Sequence, residues 1–288
     1  MAYVTIGFDG SQSSQAALEW ALTEARRRSL SAQLVSVWST PFTTCGPSAL
    51  AIPTMMTSAR TAAEHAVEWA AKAAADAGVE ASSEVVEGDP AELLVALAAS
   101  ADQLVVGAHG RSVVVRSLLG SVSTAAVHHA VTPVTVIRRK PGQPHHRVVV
   151  GIDGSAHSEP ALRRGLLEAT AARAELSVIT AWGHASPDLV GEFSGIRTPS
   201  DEDLRGLAEL RARKVMHQAA TESAAVPVRL TVAYGAAQHV LCRESAHADL
   251  LVVGTHGWGA FDRMLFGSTS TAVLRRALCP VQVVPQPV

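Results

Sequence analysis

The 288-residue chain exceeds the usual size of one domain and suggests about two, while 48% hydrophobic and 17% charged residues exclude a disordered chain. A formal net charge of −2 and a pI near 6.6 exclude a general electrostatic pull toward nucleic acid or anionic membrane, so any bound anion must be held locally. The three cysteines, Cys45, Cys242 and Cys279, have no paired spacing and support neither a disulfide framework nor a zinc knuckle.

Met1 to Gly7 lacks a basic region before its apolar run and reads as the start of a strand, not as a signal peptide. No uncharged apolar stretch approaches the ~20 residues that span a bilayer, so a cytoplasmic protein without membrane insertion is expected. Tyr3 to Phe8 is the first predicted strand, and Ser11 to Arg28 places Ala17, Trp20, Ala21 and Ala25 at helical spacing. The Arg26-Arg27-Arg28 run is read as a solvated helix end that opposes the dipole. Ala32 to Trp38 is the second strand, and a Pro-rich loop precedes a long helix from about Ser58 to Ala77, stopped by Gly78. Ala81 to Glu87 alternates polar and apolar residues, which suits a strand at a sheet edge. Asp89-Pro90 supplies an N-cap and first-turn proline for a helix reaching about Ala101. Gln103 to Val106 reads as a buried strand. It runs into Gly107-Ala108-His109-Gly110, then nine residues, then Gly120-Ser121-Val122-Ser123, which opens a short helix. Thr132 to Arg138 closes the series as a strand.

The order then repeats. Val150-Gly151-Ile152-Asp153-Gly154-Ser155 matches Ile6-Gly7-Phe8-Asp9-Gly10-Ser11 at an offset of 144, which holds to Trp38 and Trp182. From Gly88 and Gly235 to Pro133 and Pro280 the offset is 147, so one three-residue length change lies between Trp38 and Gly88. A repeat of this length is a whole domain. Lys140-Pro141-Gly142-Gln143-Pro144-His145 punctuates the boundary, which gives domains 1–140 and 146–288. Strands joined by helical crossovers require an α/β architecture: two tandem doubly wound, Rossmann-like domains, each a five-stranded parallel sheet with helices on both faces, for which the order 3-2-1-4-5 is expected.

In such sheets ligands sit beyond the carboxyl ends of the strands where strand order reverses. Here that is between strands one and four, whose ends carry Asp9 and Gly107. Gly107 and Gly110 are read as letting the backbone approach a bound group, with positive φ as a second reason. Gly120 and Ser121 offer N–H groups and a hydroxyl at a helix N-terminus, an arrangement that favours phosphate. Arg116 and its repeat mate Arg263 add charge from the loop between. The second copy, Gly254-Thr255-His256-Gly257 and Gly267-Ser268-Thr269-Ser270, lies 147 residues on, with 8 of 17 aligned positions identical. Asp9 and Asp153, each followed by Gly-Ser before a helix, are N-cap or turn residues, or else acceptors for a ribose hydroxyl or an adenine amine, and both readings stand. His109 and His256 are either phosphate contacts or loop residues bonded to backbone. No P-loop, no Gly-x-Gly-x-x-Gly after a strand and no Gly-x-Ser-x-Gly elbow is present. His128-His129 and His145-His146 are adjacent without a carboxylate or thiol at ligand spacing, and no metal is assigned to them. Cys279, before Pro280 and an apolar strand, is read as a small buried residue.

Taken together, both halves resemble universal stress protein domains, whose ATP-binding members carry Gly-x-x-Gly, nine residues and Gly-Ser/Thr after the fourth strand and an Asp ending the first. The whole chain is similar to the tandem type common in actinobacteria. The resemblance implies bound ATP, with Mg held by its phosphates. It places phosphate and ribose contacts on Gly107, Gly110, Gly120, Ser121, Val122 and Ser123, and base contacts on Gly7, Asp9 and Val37. In the second half the matching positions are Gly254, Gly257, Gly267, Ser268, Thr269 and Ser270, with Gly151, Asp153 and Ala181. Arg111 becomes Trp258 and Val115 becomes Asp262 in the second loop, so the two sites need not bind equally. The resemblance also implies pairing through the last strands, Val134 to Ile137 against Val281 to Val284, and a homodimer is compatible with it. No nucleophile, base and orienting acid are arranged together. The expected function is a nucleotide-dependent regulator or sensor in stress or dormancy, with slow or no hydrolysis and an unidentified protein partner. The rivals are an association module of the same fold that binds no nucleotide, and a weak ATPase.

Overall fold

Short runs of Val, Ile and Leu, broken by glycine or polar residues, build two parallel sheets, and small-residue helices cover them closely. The computed structural model describes residues 2–39, 52–110, 119–140, 142–155, 158–183, 191–192, 199–221, 224–255 and 267–286. The chain divides into unit 1, residues 1–140, and unit 2, residues 141–288.

Unit 1 contains β1 (Tyr3–Gly7), β2 (Ser31–Trp38), β3 (Ala81–Glu87), β4 (Gln103–Gly107) and β5 (Val134–Ile137). All pair in parallel, in the order β3-β2-β1-β4-β5. Central β4 is buried along almost its whole length, as a strand covered on both faces must be, whereas edge strand β3 is largely exposed. Helix α1 (Gln12–Arg28) begins at Ser11, whose hydroxyl accepts from the Ser14 N–H at 3.2 Å, and ends at Ser29 in the left-handed region. Its face of Ala17, Leu18, Ala21 and Ala25 is buried, and it lies over β1, β4 and β5. Helix α2 (Ile52–Asp76) lies over β2 and β3. Helix α3 (Pro90–Leu97), capped by Asp89, packs on α4 (Ser121–His129). Right-handed crossovers put α1 and α2 on one face of the sheet and α3 and α4 on the other.

Three local expectations shift. Helix α2 starts at Ile52 rather than Ser58, with Pro53 in the first turn, where a missing N–H is tolerated. Helix α3 stops at Leu97 rather than Ala101, because the chain must turn to enter β4. At that entry Asp102 receives both guanidinium nitrogens of Arg28 at 2.6 Å each. Arg28 is therefore not a solvated helix end: its side chain is 9% exposed, and it ties the end of α1 to the start of β4.

Unit 2 repeats the plan with β6 (Arg147–Ile152), β7 (Glu175–Trp182), β8 (Val228–Tyr234), β9 (Leu250–Gly254) and β10 (Val281–Val284), in the order β8-β7-β6-β9-β10. Its helices are α5 (Ser158–Ala172), α6 (Asp201–Gln218), α7 (Ala237–Glu244) and α8 (Ser268–Arg276). Ser200 and Asp203 form a reciprocal capping box on α6. Beneath α5 a buried polar cluster replaces apolar packing. Arg164 pairs with Glu168 at 2.6 Å and donates to Gln282 at 3.1 Å, and Gln282 donates to Glu168 at 3.3 Å. In unit 1 the aligned positions are Trp20, Glu24 and Thr135: the buried glutamate is kept and pairs with Arg27, and Thr135 donates to Gln103 at 2.7 Å. No described helix is long and apolar enough to cross a membrane.

Two glycines in helices separate propensity from packing. A Cβ at Gly165 of α5 collides with Val150 of β6, whereas one at Gly206 of α6 meets nothing within 4 Å. Alanine gains about 1 kcal/mol of helix propensity over glycine, and overpacking costs about 1–3 kcal/mol. Gly165→Ala is thus expected to lower the unfolding temperature and Gly206→Ala to raise it, as read by calorimetry. A stabilised Gly165→Ala protein contradicts the close contact of α5 with the sheet.

Candidate functional site

Strand order reverses between β1 and β4, so a crevice opens at their carboxyl ends, where Asp9 follows β1 and Gly107 ends β4. The glycines here make room for the protein itself. A Cβ on Gly107 lies 2.7 Å from the carbonyl carbon and Oγ of Ser13 and 2.8 Å from the Ser14 nitrogen, so this glycine admits the first turn of α1. A Cβ on Gly7 lies 2.9 Å from Leu94 of α3, and one on Gly110 lies 3.1 Å from Asp9 Oδ2. Neither Gly107 nor Gly110 has positive φ, contrary to the second reason inferred for them; the left-handed residue of this turn is Gly10, at φ 78°.

Close approach lets serines lace the glycine loop to α1. Ser13 Oγ donates to the Ile137 carbonyl at 3.1 Å and accepts from the His109 N–H at 3.3 Å. Ser11 Oγ donates to the His109 carbonyl at 3.3 Å. Across the loop, the Gly120 N–H donates to Ala108 at 2.8 Å, and the buried Ser123 hydroxyl reaches the carbonyls of Ala108 and Gly120 at 3.1 Å each. Ser123 therefore fastens the loop with its hydroxyl and faces the crevice as part of the first turn of α4. That turn has no side-chain cap, because Gly120 is its N-cap. Its N–H groups carry the partial positive end of the helix. By contrast, α1 and α3 are capped by Ser11 and Asp89.

These elements enclose a cavity of about 350 Å³. Its lining is mixed: Phe8, Val35, Val37, Pro90, Leu94 and Val106 are apolar, and Asp9, the glycine loop and the start of α4 supply polar groups. Gly7, Asp9, Val37, Gly107, Gly110, Gly120, Ser121, Val122 and Ser123 all border it, whereas Arg116 lies outside the described residues. Asp9 accepts from the Ser11 N–H at 2.9 Å, so it is a turn residue and a cavity residue together. His109 is bonded through both backbone groups and also borders the cavity. Sequence reasoning did not assign Pro90 and Leu94 to this site. Helix α3 brings them, and its run of leucines carries no mark of which one meets Gly7. Phe8 was also missed; it stacks on Trp69 of α2 with ring centroids 5.5 Å apart and planes at 7°.

Unit 2 reproduces the frame. A Cβ on Gly151 lies 2.6 Å from Leu241, as Gly7 meets Leu94. Gly254 ends β9, and Ala181 lies near the end of β7, paired with Ala233. Gly267 opens α8 without a side-chain cap, and Ser268, Thr269 and Ser270 form its first turn. The Gly267 N–H donates to the Thr255 carbonyl at 2.9 Å, as Gly120 does to Ala108, while Ser270 Oγ donates to the Gly254 carbonyl at 2.7 Å, one residue earlier than the match of Ala108. Asp153 differs, since its Oδ1 accepts from the Ser155 N–H at 3.0 Å, Ser155 Oγ at 2.7 Å and Ser158 Oγ at 2.8 Å. Gly257 and Arg263 lie outside the described residues, as do Arg111, Val115, His256, Trp258 and Asp262. Among the described residues no group of three or more His, Cys, Asp or Glu is placed to hold a metal ion. Burial pushes the Cys279 thiol up to about 12, so it is not a nucleophile near neutral pH.

With the geometry in hand, comparison places the chain among known proteins. The model of the Universal stress protein family matches residues 3–138 and again 144–285. A universal stress protein of Mycobacterium tuberculosis is 34% identical over 98% of this chain and 97% of its own length. One from Mycolicibacterium smegmatis is 32% identical over 98% and 96%. The crystal structure of a universal stress protein from Archaeoglobus fulgidus shares the fold, with a TM-score of 0.74 at 22% identity over 98% of both chains.

Two measurements check this geometry. Gly107→Ala forces the backbone of α1 away from the loop and is expected to destabilise unit 1 by about 1–3 kcal/mol without any ligand, read by urea unfolding; wild-type stability would refute the α1 contact. Native protein treated with iodoacetamide at pH 8 is expected to leave Cys279 unmodified until denaturant is added. Rapid native labelling would contradict its burial.

Proposed function

The chain belongs to the universal stress protein family and carries the family domain twice, and from this premise we propose that it binds ATP as the magnesium complex and acts as a nucleotide-dependent regulator in stress or dormancy. The observation that carries the reading is the unit 1 cavity, lined both by apolar residues and by Asp9, the glycine loop and the uncapped start of α4. Its volume, about 350 Å³, falls among small-ligand sites, which span ~300–1,000 Å³. Val35, Val37 and Leu94 give a base an apolar slot. The N–H groups of Ser121, Val122 and Ser123 suit phosphate without a lysine. Asp9, which also borders the cavity, suits a ribose hydroxyl or an adenine amine. Magnesium prefers oxygen ligands and keeps several waters, so the phosphates supply most of what it needs.

The repeated glycine-capped helix of unit 2 supports a second site on Gly254, Gly267, Ser268, Thr269 and Ser270, with Gly151, Asp153 and Ala181 toward the base. The donors around the unit 1 cavity grip charge, and none of its described residues pairs a base with a nucleophile. This supports a binding role, with hydrolysis slow or absent and the signal passed to a protein partner in the cytoplasm.

Ser121→Asp tests the reading, because an acidic residue in the first turn suits the helix dipole while its charge opposes phosphate. Calorimetric titration with Mg-ATP is expected to show binding by the wild type and affinity lowered by about tenfold or more at the first site of the variant, with unfolding temperature unchanged or raised. Undiminished affinity, or a wild type that binds no nucleotide, contradicts the proposal. So does phosphate release at ordinary enzymatic turnover, ~1–10³ per second.

A further inference from the structure

The ladder between β4 and β5 runs in register from Leu104 and Val134 to Gly107 and Ile137, and the Ala108 N–H donates to the Ile137 carbonyl at 2.8 Å. Arg138 is the next residue, so it stands beside Ala108. Side chains alternate between the two faces of a sheet, and registered residues of a parallel pair share a face. Gly107 faces α1, where a Cβ would meet Ser13, whereas Val106 and Ala108 border the cavity on the opposite face. Arg138 therefore follows Val136 onto the cavity face, just beyond the lining. The Ala108 carbonyl beside it accepts from the Gly120 N–H at 2.8 Å and from Ser123 Oγ at 3.1 Å, which brings the start of α4 to the same place. Arg138 is half-buried, while Lys140 is exposed and pairs with Glu19 at 2.7 Å. Burial, and then the charge of Arg139, pull the Arg138 pKa below its ordinary value, and a nearby anion offsets both. Five N–H donors and a permanent charge let a guanidinium serve an anion alongside other partners. In unit 2 the matching ladder ends with Val284 beside Gly254, and the Thr255 N–H donates to the Val284 carbonyl at 3.2 Å. The residue beside Thr255 is Pro285, followed by Gln286, so this position carries no cation.

Resting on the nucleotide reading given above, we propose that Arg138 selects for the number of phosphates on the nucleotide in unit 1. The N–H groups at the start of α4 accept a phosphate from any adenine nucleotide. A cation beyond the cavity lining gains only from phosphates that extend toward it, so each added phosphate strengthens its attraction. Unit 1 thus prefers the triphosphate to the monophosphate. Unit 2, with proline in the matching place, lacks this selector. Two glycine clamps of one design therefore differ in what they distinguish, one reading phosphate charge and the other admitting nucleotides more evenly.

Mg-ATP and AMP are titrated separately into the full chain by calorimetry, with Ser268→Asp silencing unit 2 or Ser121→Asp silencing unit 1. The ratio of Mg-ATP to AMP affinity is expected to be larger in the first background than in the second. Adding Arg138→Gln to the first background is expected to weaken Mg-ATP about tenfold, the scale of one charge-assisted hydrogen bond, and AMP less than about twofold. A disturbed fold weakens both nucleotides alike, so the ratio separates a selector from a structural role, and unfolding temperature is followed in parallel. Undiminished Mg-ATP affinity in Arg138→Gln, or both nucleotides weakened by the same factor, overturns the selector alone. So does an equal ratio in the two backgrounds. A wild type that binds no nucleotide overturns the nucleotide reading and the selector with it.

Discussion

The contact on which the site depends is the approach of the first turn of α1 to the end of β4 at Gly107. Only hydrogen fits there, since a methyl group would sit 2.7 Å from Ser13. Because the backbones meet, Ser13 and Ser11 reach both backbone groups of His109, and Asp9 comes against Gly110. The loop is thereby held over the reversal point of the sheet before any ligand arrives, which lowers the ordering cost of binding.

Helix capping divides structural ends from the receptive one in unit 1. Ser11 and Asp89 satisfy the first turns of α1 and α3 with their own oxygens. Gly120 has no side chain to offer α4, and Gly267 gives α8 the same deficit. Glycine in place of a side-chain cap costs about a few tenths of a kcal/mol, so each uncapped helix gives up a little stability that an anion can restore. Ser123 and Ser270 limit the penalty by locking the adjoining loops from beneath. Stability of the domain and readiness for phosphate are thus linked through the same few residues.

Much of this was legible in the sequence because the repeat doubles each signal. The order of elements, the edge position of β3 and the meeting of Asp9 with the glycine loop follow from periodicity, turn chemistry and the paired motifs, whereas Gly7 and Val37 are assigned only through the family resemblance. The reason for the glycines was not legible, since spacing alone cannot tell whether missing side-chain volume is filled by a ligand or by α1. Leu94 and Pro90 escaped because a short apolar helix has several leucines, and only packing chooses which one lines a cavity. Arg28 was misjudged because its partner, Asp102, is distant in sequence. Asp9 and Asp153 are each followed by Gly-Ser, so the sequence does not show that Asp153 draws in the hydroxyls of Ser155 and Ser158.

Membership in the universal stress protein family gives the fold, and the mixed apolar and polar lining of the unit 1 cavity gives it a proposed ligand. The most direct measurement is a crystal structure of the full chain grown with saturating Mg-ATP. The account predicts a nucleotide in unit 1, its base between Val37 and Leu94 and its phosphates on the N–H groups of Ser121 to Ser123. A vacant unit 1 cavity under those conditions, or phosphates bound away from the start of α4, would contradict it.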